Sequence, residues 1–412
     1  MFDIGTLDQL AEITMGQSPK GSTVSSEGII PLLNGPTEFG INHPHPVQFT
    51  TDPKRFAKKG DLLFCVRGST GKMNWADQDY AIGRGIAAIR EKSPNTLYFI
   101  KGAIQSNLRR ITNTAIGSVI TGIKKDDLFK FECPIPNKKE IIKINEFLGN
   151  LFQKIELNQK TNEILEEITE RLFKSWFIDF DPVRAKAEKR SIGLSKEICD
   201  LFPDQLIDSE IGKIPRGWEY IALKEVFTPR NERAGDREIK EFSSTNDGIQ
   251  PRDIKFKKNL SSSSSKNKVA YKGDFVFGMS REVLNFGLMS HEIGGFSSAY
   301  KVYDVSGDYK FSNFIYRQFL ARPHYYYQAV SASSREGQSI SQDMLLKLKI
   351  LSPNELVLSI FNTLIEPILQ RCDLILYENQ LLEEFIDLLL PKLICGELRI
   401  PDAEKFLEEA GI

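Results

Sequence analysis

The 412-residue chain contains a long internal repeat, and a repeat constrains a fold more than any single motif. Residues 162–167 (NEILEE) recur at 379–384 (NQLLEE), which lie 217 residues later. Three further pairs of segments match at offsets of 217, 217 and 213: 128–131 with 345–348, 136–137 with 353–354, and 59–64 (KGDLLF) with 272–277 (KGDFVF). The chain is therefore expected to contain two copies of one structural unit.

Each copy divides into two parts. The first part mixes short β-rich runs with Gly and Ser turns and a few helical stretches, a pattern typical of a compact α+β domain. The second part is a long helical pattern that begins at a Pro-Asn pair in both copies. Asn137 and Asn354 are suitable N-cap residues for these helices.

The periodicity of the two long helices is the strongest structural signal in the sequence. Apolar side chains recur at alternating spacings of three and four residues, and such a heptad seam needs a partner helix to cover it. The seam positions are Ile141, Ile144, Leu148, Leu151, Ile155, Asn158, Asn162, Leu165, Thr169, Leu172 and Trp176, then Leu358, Phe361, Ile365, Ile368, Cys372, Ile375, Asn379, Leu382, Ile386, Leu389 and Leu393.

We expect the two helices to pair with each other within one chain. Equivalent units that meet through equivalent surfaces favour a pseudo-two-fold contact, which makes the helices antiparallel and places the domains at opposite ends of rods about 60 Å long. Asn162 and Asn379 on the seam would fix the register, and Pro367 should kink or interrupt the second helix. An intermolecular coiled coil, or a bundle within one domain, is the alternative.

The predicted fold class is α+β, with two similar domains separated by a pair of long antiparallel coiled-coil helices in a pseudo-two-fold internal repeat. The predicted boundaries are 1–137 for the first domain, 138–180 for the first spacer helix, 181–217 for a connector, 218–353 for the second domain, 354–400 for the second spacer helix with its C-terminal motif, and 401–412 for a C-terminal tail. Tolerance to sequence change is expected to concentrate in the connector, which contains Pro203, Pro215 and several glycines.

The net charge of −1 conceals a segregation of charge along the chain. The two domains are basic, with 16 Lys and Arg against 13 Asp and Glu in 1–137, and 20 against 15 in 218–353. The remainder carries 18 against 27 and is acidic. This distribution favours domains that bind a polyanion and helices that face proteins.

Motifs for catalysis are absent from the sequence. No GxGxxG, HExxH or GxSxG occurs, and 68–72 (GSTGK) lacks the first glycine and the final Ser or Thr of a phosphate-binding loop. Five cysteines without a CxxC and four scattered histidines predict neither a disulfide framework nor a metal site. With no apolar run long enough to span a membrane and no secretory pattern at the start, the sequence predicts a cytoplasmic, non-catalytic binding protein.

Two basic domains at a fixed separation fit a DNA duplex that is contacted at two half-sites. Lys and Arg would neutralise phosphates, and a smaller number of side chains on Gly/Ser loops would contact base edges. Because the two domains differ in sequence, the half-sites should differ too. The candidate DNA-binding residues are Lys20, Arg67, Lys72, Arg84 and Lys124 in the first domain, and Arg230, Arg233, Arg281 and Arg335 in the second.

Several strings resemble the DNA specificity subunits of type I restriction-modification systems. They are 175–183 (SWFIDFDPV) after the first helix, 214–218 (IPRGW) before the second domain, and 388–393 (LLLPKL) with 396–399 (GELR) near the end of the second helix. Together with the order domain, helix, domain, helix, the resemblance covers nearly the whole chain.

The resemblance implies two target recognition domains that each recognise one part of a bipartite DNA sequence. It also implies partners: two methyltransferase subunits, and restriction subunits that translocate DNA. S-adenosylmethionine, ATP and Mg²⁺ would then act on those partners, and this chain would carry no cofactor and no metal. Trp176, Phe177 and Asp179 match the family's helix-end motif, where methyltransferase subunits would dock.

Other functions remain open at this point. The chain could be a structural tether whose coiled coil is the functional part and whose terminal domains bind proteins. It could also be an enzyme, such as a nuclease, with a site that the motifs do not reveal. Within the favoured class, the chain could be an orphan or phase-variable specificity subunit, and the sequence does not give the DNA target.

Overall fold

The computed structural model describes residues 2–108, 123–245, 248–252, 264–278, 284–305, 309–330 and 340–410. These residues form two compact units, Met1–Glu163 with Arg371–Ile412, and Ile164–Gln370. The unit boundary runs through both long helices. Each unit thus contains one α+β domain together with one part of each helix.

In the first unit, the domain is built on two sheets. A four-stranded antiparallel sheet has the order β2-β10-β7-β8, and a five-stranded sheet has the order β3-β5-β4-β9-β6, in which only the β4–β9 pair is parallel. Strand β1 pairs with β11. The strands are β1 Asp3–Thr6, β2 Ala11–Met15, β3 Val24–Ser25, β4 Ile30–Leu33, β5 Gln48–Thr50, β6 Phe56–Ala57, β7 Leu62–Cys65, β8 Met73–Trp75, β9 Tyr80–Ile82, β10 Ile86–Glu91 and β11 Glu132–Ile135.

Strand β7 links the two cores of this domain. Successive side chains of a strand point to opposite faces, so Leu62 and Phe64 enter the core that the domain shares with the long helices, whereas Leu63 enters a smaller core with Tyr80 and Ile82. The helices of the unit are α1 Leu7–Leu10, α2 Leu97–Ser106, α3 Lys125–Phe129, the first part of α4 Lys138–Phe177, the last part of α10 Glu355–Cys395, and α11 Ile400–Ala410. The predicted C-terminal tail is mostly this last helix, whose Ala403 is fully buried.

The long helices pair as the seam predicted. In the first unit, Leu148 packs with Leu390 and Ile394 around Gly102, and Asn158 donates a hydrogen bond to Asn379 (2.9 Å). Residue numbers increase along α4 as those of the contacting residues on α10 decrease, so the pair is antiparallel. Most seam positions of both helices are buried.

Asn162 is one of the two asparagines predicted to fix the register. Its amide nitrogen donates to the carbonyl of Cys372 (3.4 Å), but its buried Oδ1 has no partner among the described residues. An unsatisfied buried acceptor destabilises by about 1–3 kcal/mol. This residue therefore combines a specific contact with an energetic cost.

Replacing Asn162 with leucine is expected to stabilise the protein by about 1–3 kcal/mol, because the unpaired carbonyl oxygen is removed from the core. Urea denaturation would measure the change. Asn150→Leu on the exposed face of the same helix is the control and should give no gain. A loss of stability in Asn162→Leu would contradict the interpretation.

A buried polar residue of α4 contacts the first domain at the start of α2. Asn145, which is buried, accepts hydrogen bonds with its Oδ1 from the backbone N–H groups of Tyr98 (2.8 Å) and Phe99 (3.2 Å) at the start of α2. These are N–H groups that the helix itself cannot satisfy. Asn362 lies 217 residues later and is also buried, at the equivalent position of the second helix.

We expect Asn145→Ala to destabilise the first unit by about 1–2 kcal/mol, the usual cost of removing a helix cap. Asn145→Asp keeps the acceptor oxygens and places a negative charge at a helix N-terminus, so it should retain most of the stability. Equal losses in the two variants, measured by hydrogen exchange of α2, would show that the amide does not act as a cap.

The second unit repeats the four-stranded sheet of the first. Its order, β15-β22-β19-β20, is equivalent to β2-β10-β7-β8. Strand β14 pairs with β23, β16 with β17, and β18 with β21. The strands are β14 Glu219–Ala222, β15 Phe227–Arg230, β16 Phe242–Thr245, β17 Gly248–Pro251, β18 Lys268–Tyr271, β19 Phe275–Phe277, β20 Phe286–Leu288, β21 Ile293–Phe296, β22 Lys301–Val305 and β23 Lys349–Ser352.

The predicted connector is folded. It contains α5 Asp181–Glu188, α6 Lys196–Leu201 and a hairpin of β12 Leu206–Ser209 with β13 Gly212–Pro215. Its Phe202 and Ile214 are buried in an aromatic core with residues of both long helices in this unit. At these positions we instead expect substitutions to be destabilising, because they would remove apolar surface from the core. The remaining helices of the unit are α7 Tyr309–Ala321, α8 Pro323–Tyr326 and α9 Gln342–Lys347.

Two details of the long helices concern their ends and Pro367. Asn137 and Asn354 cap the helices, since their Oδ1 atoms accept from the backbone N–H groups of Glu140 (3.1 Å) and Leu356 (2.8 Å). The helix α10 continues through Pro367, so the expected interruption is absent. The buried neighbours Phe361 and Ile365 hold this turn against α4 and offset the missing hydrogen bond.

Candidate nucleic-acid interface

In the first domain, backbone hydrogen bonds join several loops at one end of the four-stranded sheet. The loop after β2 is tied to the start of β10 by the N–H of Gly16 and the carbonyl of Ile86 (2.9 Å). The loop after β7 is tied to Gly85 by the N–H of Val66 (2.8 Å), and the N–H of Ile123 donates to Val66 (2.9 Å). These bonds form one connected surface from segments that lie far apart in the sequence.

Glycine is required for these close approaches. A Cβ on Gly16 would lie 2.1 Å from the carbonyl oxygen of Gly83, and a Cβ on Gly85 would lie 2.2 Å from the carbonyl oxygen of Asn34. Such distances are too short for any side chain, so only glycine allows the loops to meet.

All five cations predicted for the first domain lie on these joined loops. All five residues are exposed, and none of them forms an ion pair with another described residue. Arg84 is attached to the loop after β2 through its N–H and Ser18 Oγ (3.4 Å). The residues are Lys20, Arg67, Lys72, Arg84 and Lys124. The structure thus brings together five positive charges that the sequence scatters over 105 positions.

A buried aspartate of the repeated Gly-Asp segment supports the sheet in each domain. In the first, the Asp61 carboxylate accepts from Arg90 Nε and Nη2, both at 2.8 Å, and from the N–H of Lys58 (2.7 Å). In the second, Asp274 accepts from Arg230 Nε (2.7 Å) and Nη2 (3.0 Å).

This geometry changes the interpretation of Arg230. Its guanidinium also contacts the Asp304 carboxylate at 3.0 Å, and its side chain is 23% exposed. Asp304 of β22 lies opposite Asp274. At the same register of the first domain, Arg90 of β10 lies opposite Asp61. Arg230 supplies from β15 the positive charge that the first domain supplies from β10. It is held by two carboxylates, which contradicts the prediction of a side chain free to contact DNA.

Three cations lie close together on the equivalent side of the second domain. Arg233 is exposed and donates from Nη1 to the carbonyl of Lys266 (2.9 Å). Burial, followed by the charges of Arg233 and Lys301, lowers the pKa of Lys268. Lys268 and Lys301 were not among the residues predicted from the sequence. Each is the first residue of a strand in the basic second domain, and this position is the sequence feature that could have identified it.

The other predicted DNA contacts of this domain, Arg281 and Arg335, lie outside the described residues.

The predicted partner-binding motif differs from expectation. Trp176 and Phe177 are 2% and 0% exposed, and both pack against Phe361. Direct contact of these two rings with another subunit is therefore a wrong prediction, because the rings are used inside the second unit. Asp179 is exposed, with Lys174 Nζ 3.8 Å from its carboxylate.

Within the residues that the structure describes, no group of three or more His, Cys, Asp and Glu side chains is arranged to hold a metal ion. No helix in the same residues combines the length and apolar content needed to cross a bilayer.

The fold and the loop cations define a class of protein with a twice-repeated α+β domain and paired long helices. Residues 2–167 match the family model of the type I restriction modification DNA specificity domain. The chain is 34% identical over 187 residues to the type I restriction enzyme HindI specificity subunit of Haemophilus influenzae, covering 43% of this chain and 39% of the relative. It thus spans about two fifths of that relative's length.

Two other similarities extend over most of the chain. The type I restriction enzyme MjaIX specificity subunit of Methanocaldococcus jannaschii is 27% identical over 367 residues, covering 84% of this chain and 80% of the relative. The crystal structure of a type I restriction-modification system S subunit from M. genitalium has the same fold, with a TM-score of 0.53, 17% identity and coverage of 96% of each chain. Together these matches confirm the resemblance of the chain to type I specificity subunits.

Proposed function

We propose that this protein recognises a bipartite double-stranded DNA sequence and directs the methyltransferase and restriction subunits of a type I restriction-modification complex to it. Each α+β domain would contact one half-site, and the paired helices would set the distance between the half-sites. The protein would act in the cytoplasm and would itself carry out no chemistry.

The observation that carries the proposal is the set of five exposed cations on the joined loops of the first domain. Side chains that have no carboxylate partner within the described residues are available for phosphates. Because the loops also meet at one sheet end, some of these side chains could enter a groove and contact base edges. In the second domain, Arg233, Lys268 and Lys301 are the corresponding candidates.

The helices are the proposed site for protein partners. Residues 354–412 contain 4 Lys and Arg against 12 Asp and Glu, a charge that opposes contact with DNA. In the first unit, Leu374, Tyr377 and Leu388 lie on one face of α10 and are about 60% or more exposed. Such an apolar stripe fits a protein surface. S-adenosylmethionine, ATP and Mg²⁺ are proposed to act on the partner subunits.

Binding to duplex DNA over a salt series tests the DNA-binding part of the proposal. If phosphates are neutralised, the logarithm of the association constant falls linearly with the logarithm of the salt concentration, by about 0.9 per phosphate. An affinity that does not respond to salt would favour the structural tether. Cleavage or methylation of DNA by the purified chain alone would instead support an enzyme.

A further inference from the structure

The first unit contains a cavity of about 340 Å³ that the proposed DNA recognition does not use. Its walls come from the first domain and from the parts of both long helices in the same unit. The volume lies within the range of about 300–1,000 Å³ that is usual for small-molecule sites. Charged, amide and aromatic side chains share the walls.

One wall holds a lysine among aromatic rings. Lys101 Nζ lies 3.6 Å from the ring centre of Phe152 and 5.5 Å from that of Trp75. Tyr98 completes the wall, with its ring centre 5.2 Å from that of Trp75. Burial lowers the pKa of Lys101 to about 8. No ion pair joins this ammonium group to a described carboxylate.

The opposite charge on the cavity wall is also without a partner. Glu383 and Asp387 are four residues apart on α10, and no ion pair joins either of them to a described cation. Burial, followed by repulsion from Asp387, raises the pKa of Glu383. The third carboxylate, Glu156, is paired with Lys160 Nζ at 2.6 Å and lies 3.5 Å from His43 Nε2. Its charge raises the pKa of Lys101 and so opposes part of the effect of burial.

The arrangement restricts what the cavity can hold. A simple anion would leave Glu383 and Asp387 without a cation, and a simple cation would leave Lys101 without an anion in direct contact. A phosphorylated ligand would bring at least one excess negative charge toward the carboxylates. A ligand with one positive and one negative group would pair with the carboxylates and with Lys101, and an apolar group on it would contact the rings.

We propose that the cavity binds a free α-amino acid with an apolar or aromatic side chain. Lys101 contacts its carboxylate, Glu383 with Asp387 contacts its ammonium group, and the side chain packs against Trp75 and Tyr98. This site is independent of the DNA-binding surface, so it does not rest on the proposed function.

Calorimetric titration of the full chain with L-phenylalanine, L-tryptophan, L-leucine and L-methionine tests the proposal. At least one of them should bind saturably. 2-Phenylethylamine and 3-phenylpropionate, which each lack one charged group of phenylalanine, should bind at least about 10-fold more weakly than phenylalanine or not measurably.

Variants assign the binding to this cavity. Lys101→Met and the double variant Glu383→Gln with Asp387→Asn should each weaken binding at least about 10-fold. Lys101→Arg keeps the positive charge and should retain binding, which separates loss of the contact from loss of folding. Glu384→Gln is the matched control, because Glu384 accepts from Gln380 on the same helix (2.8 Å) and does not line the cavity.

Two results would overturn the proposal. The first is the absence of saturable binding for all four amino acids up to about 10 mM, which corresponds to a free energy weaker than about −3 kcal/mol. The second is binding that is unchanged in a folded Lys101→Met variant. Neither result depends on whether the protein binds DNA.

Discussion

Removing three cations from the joined loops, Arg67→Ala with Arg84→Ala and Lys124→Ala, is expected to weaken duplex binding on the order of 100-fold at low salt. Each side chain is exposed and without an ion pair to a described residue, so each is available for one phosphate. The slope of log affinity against log salt should fall by about 2.7, since each phosphate contact contributes about 0.9.

A matched variant separates this local effect from a change in net charge. Lys138→Ala with Lys139→Ala and Lys143→Ala also removes three exposed positive charges, from the beginning of α4. Its affinity and salt slope should stay close to those of the unchanged protein. Equal losses in both triple variants would mean that binding depends on overall charge and that the loops are not the interface.

The second large effect concerns Arg230. Replacing it with alanine is expected to destabilise the second domain by about 3–5 kcal/mol, because the Asp274 carboxylate, 2% exposed, loses its cation. Burial already raises the pKa of Asp274. Without Arg230 that pKa should rise further, so the destabilisation should shrink as acid protonates the carboxylate. Hydrogen exchange of β22 at two pH values measures both effects.

Arg233→Ala is the control for this experiment. Arg233 is exposed and three positions away, so its removal should change stability by no more than about 0.5 kcal/mol. If Arg230→Ala instead leaves stability unchanged and weakens DNA binding alone, the structural role of the Arg230–Asp274 pair is wrong and the original prediction of a DNA contact is restored.

The helices show what the sequence could predict. Their seam follows from a local period, and the caps at Asn137 and Asn354 follow from residue type next to a helical pattern. The antiparallel pairing followed from the repeat. These features depend on neighbouring positions or on symmetry, and both can be seen in one sequence.

Contacts between distant residues were less predictable. Arg230 and Asp304 are 74 positions apart in the sequence. Only the strand register reveals that Asp304 stands where the first copy has Arg90, and that Arg230 supplies the missing positive charge from the neighbouring strand. Trp176 was assigned to a partner because its motif resembles the family's, but the motif does not indicate which side of the helix is covered. In the connector, Phe202 became part of a core that composition had not suggested.

The candidate DNA interface was predictable in part. The exposure of glycine-flanked cations such as Arg84 could be predicted from the sequence, because glycine loops leave side chains exposed. Their assembly at one sheet end required the hydrogen bonds that join the loops. Lys268 and Lys301 were missed because each begins a strand and has no glycine beside it.

Mapping methylated adenine across a host genome, with and without this gene, tests the central claim most directly. Two different recognition domains at a fixed separation predict the loss of one split, asymmetric methylated motif when the gene is removed. An unchanged set of methylated motifs, in a host whose methyltransferase subunits are expressed, would contradict the claim, and so would the loss of a single continuous motif.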